Sequence, residues 1–176
     1  EAVLDHAFRY WKRIVIASTS EIYGKASHVP FREDDDRVLG STAVTRWSYS
    51  MSKAIDEHFA FAYAAKGLPV SIVRYFNSYG PRLEERGYGS VVANFARQAL
   101  RGEPMTVHGD GLQSRCFTFV SDTVAGTLLA GEVDEAVGEA FNIGTPHETS
   151  IVELAQTIKR LTRSKSPMQF VPYEAY

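Results

Sequence analysis

Arg13-Ile14-Val15-Ile16-Ala17-Ser18-Thr19-Ser20-Glu21-Ile22-Tyr23-Gly24 is an aliphatic run that stops in three hydroxyls and a carboxylate. A strand apolar on successive residues has both faces covered, the pattern of a parallel sheet flanked by helices. In open sheets of that kind ligands lie beyond the carboxyl ends of the strands, so the polar tail from Ser18 to Glu21 is delivered to the functional edge. The run predicts a core strand over Arg13 to Thr19 and an α/β fold.

Downstream, Tyr23 to Thr45 reads as a long loop containing Pro30 and Gly40-Ser41. Loops of this length are usually functional or mobile. Its acidic run, Glu33-Asp34-Asp35-Asp36, reads as a solvated surface rather than a metal site. A helix is predicted from Arg46 to Lys66, with Gly67 as its stop and Pro69 beyond. Tyr49 and Lys53 then stand at i and i+4 and share a face. A tyrosine titrates near pH ~10 in water, and a fixed cation beside it favours the phenolate, which turns Tyr49 into a candidate general base. Tyr63, Phe59 and Phe61 on the same helix read as packing residues. Val70 to Phe76 is the next core strand, ending in Asn77, and upstream Glu1 to Trp11 reads as the tail of an amphipathic helix. Strand and helix alternate as in βα layers.

Beyond Pro81 the character changes. Leu83 to Gly89 is a polar link, and Ser90 to Leu100 an amphipathic helix closed by Arg101-Gly102. Met105 to His108 is a short strand, Gly109-Asp110-Gly111 a turn, and Arg115 to Val120 another strand. A helix capped by Ser121 or Asp122 runs to Ala130, and a further strand ends at Phe141-Asn142-Ile143-Gly144. Ser150-Ile151-Val152-Glu153 is a capping box that opens a helix to Leu161.

The chain has 176 residues, 44% of them apolar, enough to bury a sizeable core, and a formal charge of −2, which recommends neither nucleic acid nor a membrane surface as partner. Its one cysteine, Cys116, cannot form an internal disulfide, which fits a cytoplasmic location. No apolar run has the length of a membrane span. His108 and His147 have no spacing that makes a metal site.

Four segments in this order and spacing, Ser18 to Gly24, Tyr49 to Lys53, Arg74-Tyr75-Phe76-Asn77-Ser78-Tyr79-Gly80-Pro81-Arg82, and Gly109-Asp110-Gly111-Leu112-Gln113-Ser114-Arg115, resemble the extended short-chain dehydrogenase/reductase family of nucleotide-sugar epimerases, dehydratases and decarboxylases. The resemblance runs over essentially the whole chain. It implies a Rossmann-like parallel sheet with a smaller α/β substrate-binding domain, residues 1–80 forming the second half of the NAD-binding domain and 81–176 mainly the nucleotide-sugar region, with crossings back to the sheet. No G-x-G-x-x-G or G-x-x-G-x-x-G loop is present, so the expectation is an internal piece of that fold, without its first strands and part of its C-terminal end. NAD is the implied cofactor, a UDP-sugar the substrate, and a homodimer formed through the Tyr49 helix the assembly.

The same resemblance implies the site residues. Tyr49 takes the proton of the sugar 4-hydroxyl while hydride leaves C4, Lys53 tunes Tyr49 and holds the nicotinamide ribose, and Thr19 binds the 4-hydroxyl. Ser18, Tyr75 and Asn77 join Tyr49 and Lys53 around the cofactor. Ser20, Asn77, Arg82, Asn94 and Arg115 face the nucleotide sugar, although Asn77 equally fits a turn-capping role. Glu21 and Ser20 bear on the subfamily: galactose-type 4-epimerases have no acid at the Glu21 position, and 4,6-dehydratases carry Asp at the Ser20 position. Thr19-Ser20-Glu21 is most similar to the nucleotide-sugar uronate decarboxylases, and Gln113-Ser114-Arg115-Cys116-Phe117-Thr118 is similar to the same group, whose Arg assists decarboxylation. A guanidinium suits a substrate carboxylate, and it suits the pyrophosphate as well. The implied reaction is NAD-dependent decarboxylation of UDP-glucuronate, with a UDP-sugar 4-epimerase as the alternative and a 4,6-dehydratase or a non-catalytic nucleotide-sugar binder behind it.

Overall fold

The computed structural model describes residues 1–83 and 90–172. The polar link read over 83–89 therefore lies, except for Leu83, outside the described residues. In chain order the elements are α1 (Ala2–Arg9), β1 (Ile14–Thr19), a 3-10 turn (Ser20–Tyr23), α2 (Arg46–Ala64), β2 (Val70–Tyr75) and β3 (Ser78–Tyr79). Then come α3 (Val91–Arg101), β4 (Met105–His108), β5 (Ser114–Cys116), β6 (Thr118–Phe119), α4 (Val120–Glu132), a 3-10 turn (Asp134–Ala136), β7 (Ala140–Ile143), β8 (Glu148–Ser150), α5 (Ile151–Leu161) and β9 (Met168–Val171). They form two compact units, one of residues 1–76 and 121–144, the other of 77–120 and 145–176.

The first unit is built on a parallel three-stranded sheet in the order β1-β2-β7. Ile14 lies opposite Val70, Thr19 opposite Tyr75 and Arg74 opposite Asn142, so the polar ends of the strands lie at one edge of the sheet. The helix α2 connects β1 to β2 and turns Ser50, Ala54, Glu57, Ala60 and Tyr63 inward. Ala60, Tyr63, Leu68, Val70 and Ile72 pack with Leu4 and Ala7 of α1 into one core. Burying a residue such as Leu68 or Ile72 is worth roughly 1.5–3 kcal/mol, so this cluster anchors α2 on the sheet. The Tyr63 hydroxyl donates to Asp5, which pins α1 to α2 and pushes the phenol up to about 12. Arg13, just before β1, donates to the carbonyls of Gly131 at 3.2 Å and Glu132 at 2.7 Å, placing a cation at the negative end of α4.

The second unit has its own core of Phe95, Ala99, Met105, Val107, Ile151, Ala155 and Ile158, contributed by α3, β4 and α5. Ser90 caps α3, accepting the Val92 amide at 3.2 Å, and Gly102 ends it in the left-handed region at φ 71°. The expected capping box is present at α5, Ser150 and Glu153 satisfying each other's amides.

Two expectations need correction. The strand read over Arg115 to Val120 is broken at Phe117, because its halves take different partners: β5 runs antiparallel to β8, and β6 parallel to β3. The helix expected to start at Ser121 or Asp122 starts at Val120, and the Ser121 hydroxyl donates to Asp122 at 3.1 Å instead of capping an amide.

Candidate active site

At the end of β1 the backbone leaves the sheet at Thr19 and enters the 3-10 turn. Thr19 is extended, at φ −149° and ψ 151°, and its Oγ1 accepts the Glu21 amide at 3.2 Å. The hydroxyl keeps its own proton and a second lone pair for a ligand. Gly24 closes the turn at φ 64°, and a Cβ there would lie 2.2 Å from the Val38 carbonyl oxygen, so no side chain fits.

The turn presents Ser20 and Glu21 toward the start of α2. The Glu21 carboxylate accepts from Arg46 at 3.3 Å, with side chains 44% and 60% exposed. An ion pair this exposed is worth about 0–1 kcal/mol, so Glu21 is held loosely enough to be released to another partner. Arg46 also lies over the Trp47 ring, 5.4 Å from its centroid, and Lys25 lies 5.6 Å from it. Trp47 presses on Gly40, where a Cβ would meet the indole nitrogen at 2.3 Å, and so seats the loop between β1 and α2.

Tyr49 and Lys53 are one helical turn apart on α2. The Tyr49 side chain is exposed, and its hydroxyl has no hydrogen-bond partner among the described residues. Lys53 Nζ donates to the Ala17 carbonyl at 3.0 Å and lies 3.7 Å from Asp56. The bonds of Arg46 to Glu21 and of Lys53 to Ala17 thus set the first half of α2, with Tyr49 between them on the helix, against the end of β1 and the turn that follows it.

Beneath them is a buried polar network with no place in the sequence reading. Glu57 accepts from Ser18 Oγ at 2.5 Å and from Arg74 through two parallel bonds, Nε to Oε1 at 3.0 Å and a terminal nitrogen to Oε2 at 2.7 Å. Arg74 also donates to the Tyr23 hydroxyl and the Glu33 carbonyl, each at 2.8 Å, and Tyr23 donates to Asn142 at 2.8 Å. Burial works against the charge of Arg74, but the hydrogen bonds and charge of Glu57 outweigh it and push the guanidinium above its ordinary value. Burial pushes the Tyr23 phenol up, against the opposing pull of Arg74. Ser18, read as a cofactor contact, has its hydroxyl committed to Glu57. Tyr75, read likewise, shares a 2.8 Å hydrogen bond with Thr127. The signal for the network was a Glu on the buried stripe of a helix and an Arg inside an apolar strand, two charges that need each other.

The remaining residues belong to the second unit. Asn77 donates to the Cys116 carbonyl at 3.3 Å and accepts the Thr118 amide at 3.0 Å through its own carbonyl, a turn-holding role. Arg82 is exposed at φ 67°, Asn94 is half-buried on α3, and Arg115 is exposed on β5, its guanidinium donating to the Ser114 carbonyl at 2.7 Å.

A sheet of parallel strands carrying hydroxyls, a carboxylate and a Tyr/Lys helical pair at one edge defines a class, and the chain belongs to it: the NAD dependent epimerase/dehydratase family, whose sequence model matches residues 1–144. Among curated relatives, the chain is 50% identical over 173 residues to the UDP-N-acetyl-alpha-D-glucosaminuronate decarboxylase of Bacillus cytotoxicus, covering 98% of this chain and 53% of that protein. It is 39% identical over 171 residues to UDP-glucuronic acid decarboxylase 1 of Danio rerio, covering 97% of this chain and 40% of that protein. A solved structure, the UDP-glucose 4-epimerase of Thermotoga maritima with UDP-glucose, superimposes with a TM-score of 0.88 at 31% identity, covering 98% of this chain and 54% of that one. The chain thus spans about half the length, or less, of the curated relatives it matches.

Proposed function

We propose that this chain carries the catalytic centre of an NAD-dependent UDP-uronate decarboxylase. The observation that carries the reading is the Thr19-Ser20-Glu21 turn at the end of β1 beside Tyr49 and Lys53, in a chain half identical to a protein named as such a decarboxylase. The donor set fits the cofactor: Lys53 spends one of its three donors on Ala17, leaving two for ribose hydroxyls, and the Tyr49 hydroxyl is open. NAD, when bound, accepts the hydride from C4 of the sugar.

Tyr49 and Thr19 hold the 4-hydroxyl, and Tyr49 takes its proton as the C4–H bond is lost, leaving a ketone beta to the C6 carboxylate. The C5–C6 bond then breaks, carbon dioxide leaves, and the electron pair is delocalised as an enolate onto the C4 oxygen. Glu21, or a water it holds, gives a proton to C5. Arg115 holds the carboxylate through its planar pair of donors, with Asn77, Arg82 and Asn94 on the nucleotide sugar and Ser20 beside the sugar ring. The hydroxyls of Ser18 and Tyr75 are committed to Glu57 and Thr127, so any part these two residues play at the cofactor is in shaping its floor.

The substrate is UDP-glucuronate or its 2-acetamido analogue, as the names of the relatives suggest. Full-length protein given each with NAD releases carbon dioxide from at least one; an isomer of unchanged mass would instead establish the 4-epimerase reading, which the likeness to the Thermotoga maritima enzyme favours. As assembly we propose a homodimer through Met51, Ile55 and Phe59, exposed at four-residue spacing on α2. No described helix is long and apolar enough to cross a membrane, and a cytoplasmic location is part of the same proposal.

A further inference from the structure

Glu57 lies one helical turn beyond Lys53, so Tyr49, Lys53 and Glu57 descend one face of α2 at four-residue spacing. The three have different environments. Tyr49 is open to solvent, Lys53 reaches the Ala17 carbonyl, and Glu57, 5% exposed, takes the hydroxyl of the next residue, Ser18. Two consecutive residues of β1 are thus bonded to two consecutive turns of α2, immediately before Thr19. Arg74, 6% exposed on β2, completes the arrangement by gripping Glu57 on one side and the Tyr23 hydroxyl and Glu33 carbonyl on the other. Tyr23 is the last residue of the turn that carries Glu21. Its hydroxyl continues the chain of bonds to Asn142 on β7, whose amide reaches Glu33 Oε1 at 2.8 Å and whose side chain reaches the Phe31 carbonyl at 3.1 Å.

The turn bearing Ser20 and Glu21 is therefore held at both ends, through Ser18 and through Tyr23, by one ion pair. Desolvation makes a buried ion pair a poor source of stability compared with apolar residues of the same volume. Its bonds are directional, however, and apolar packing tolerates sliding that such bonds do not. We propose that Glu57 and Arg74 are positioning residues, which set the distance between the acid-bearing turn (Thr19, Glu21) and the base-bearing helix (Tyr49, Lys53). Reaction rates fall steeply when reacting groups are displaced by about an ångström, so this is where rigidity has value. The role in turnover rests on the decarboxylase reading, while the role in holding the turn does not.

The test uses the full-length protein with both charges removed, Glu57→Met with Arg74→Met, because apolar replacement of a whole buried pair is commonly neutral or stabilising. Two readouts are taken at an unchanged or raised melting temperature. Amide hydrogen exchange across Ser18 to Tyr23 is expected to quicken by ~10-fold or more, and kcat on the UDP-uronate to fall by ~10²-fold with KM within about twofold of the parent. Unchanged exchange in that segment overturns the inference whatever the substrate, and so does quickened exchange with full turnover. A parent protein inert on both uronates overturns the decarboxylase reading alone, and the exchange measurement still decides the holding role. Should the double variant not fold, Arg74→Lys keeps the charge but loses the paired bonds; a fall in kcat of ~10-fold at unchanged melting temperature is then expected, and parent-like kcat and exchange would refute the inference.

Discussion

The two units hold their candidate residues in opposite ways. In the first, several side chains near the end of β1 are tied to fixed groups: Thr19 to the Glu21 amide, Lys53 to Ala17, and Ser18, Arg74 and Tyr23 to a carboxylate or an amide side chain in the interior. In the second, Arg82 and Arg115 are exposed, and among the described residues Arg115 donates to the carbonyl of its own neighbour. Groups that move protons need fixed geometry, whereas long cations that recognise an anion can close on it from many starting rotamers. The contrast predicts that substitutions in the first unit act on kcat and those in the second on KM.

Removing the open Tyr49 hydroxyl is the largest blow. Tyr49→Phe should leave the melting temperature unchanged and lower kcat by ~10³-fold or more, since only the oxygen that carries the proton is lost. Near-parent turnover in that variant would sink the mechanism. Next comes Glu21→Gln, which should still form the reduced nicotinamide while slowing carbon dioxide release or C5 protonation by ~10²-fold. Small, equal losses in both signals would point to the epimerase instead. Arg115→Lys, in the exposed set, should raise KM for the uronate by ~10-fold with a smaller effect on kcat, because a point charge replaces a planar pair of donors. A drop confined to kcat would erase the distinction between the units.

The smallest effect probes the second unit's scaffold. Ser150→Ala should cost about 1 kcal/mol of stability at neutral pH through the lost cap of α5. Ser150 holds the Glu153 carboxyl below its ordinary 4.5, first through the backbone amide and then through the hydroxyl. A lowered folded value means stability that is present above 4.5 and lost as pH falls through the lower folded value, so the gap in melting temperature between parent and variant should narrow on acidification. A gap that widens in acid would refute the assignment.

What could be read from residues alone was whatever repeats or terminates. The Ile and Val runs of β1 and β2, the Tyr49/Lys53 spacing and the Ser150/Glu153 box each carry a local signal, and each is found in the structure where it was expected. The strands β3, β5, β6 and β8 have two or three residues, too few for a period, and their pairing is decided by residues far away in sequence. The link between Glu57 and Arg74 left only an indirect signal, two charges that break the apolar patterns around them, and matching one to the other requires the strand and helix to be packed. The pairing of Glu21 with Arg46 likewise depends on how the loop of residues 24–45 folds back.

Trp47 gives the protein an optical consequence. Lys25 and Arg46 both lie over its indole, and Arg46 is the partner of Glu21. Anything that draws Arg46 or Glu21 away changes the charge over that ring and hence its emission. The chain has only two tryptophans, and Trp11 lies far from this corner of the sequence, beside Phe8 at the end of α1. With Trp11→Phe, fluorescence from Trp47 in this chain becomes a gauge of whether the carboxylate at the tip of β1 is docked or released, readable in milliseconds and without any label.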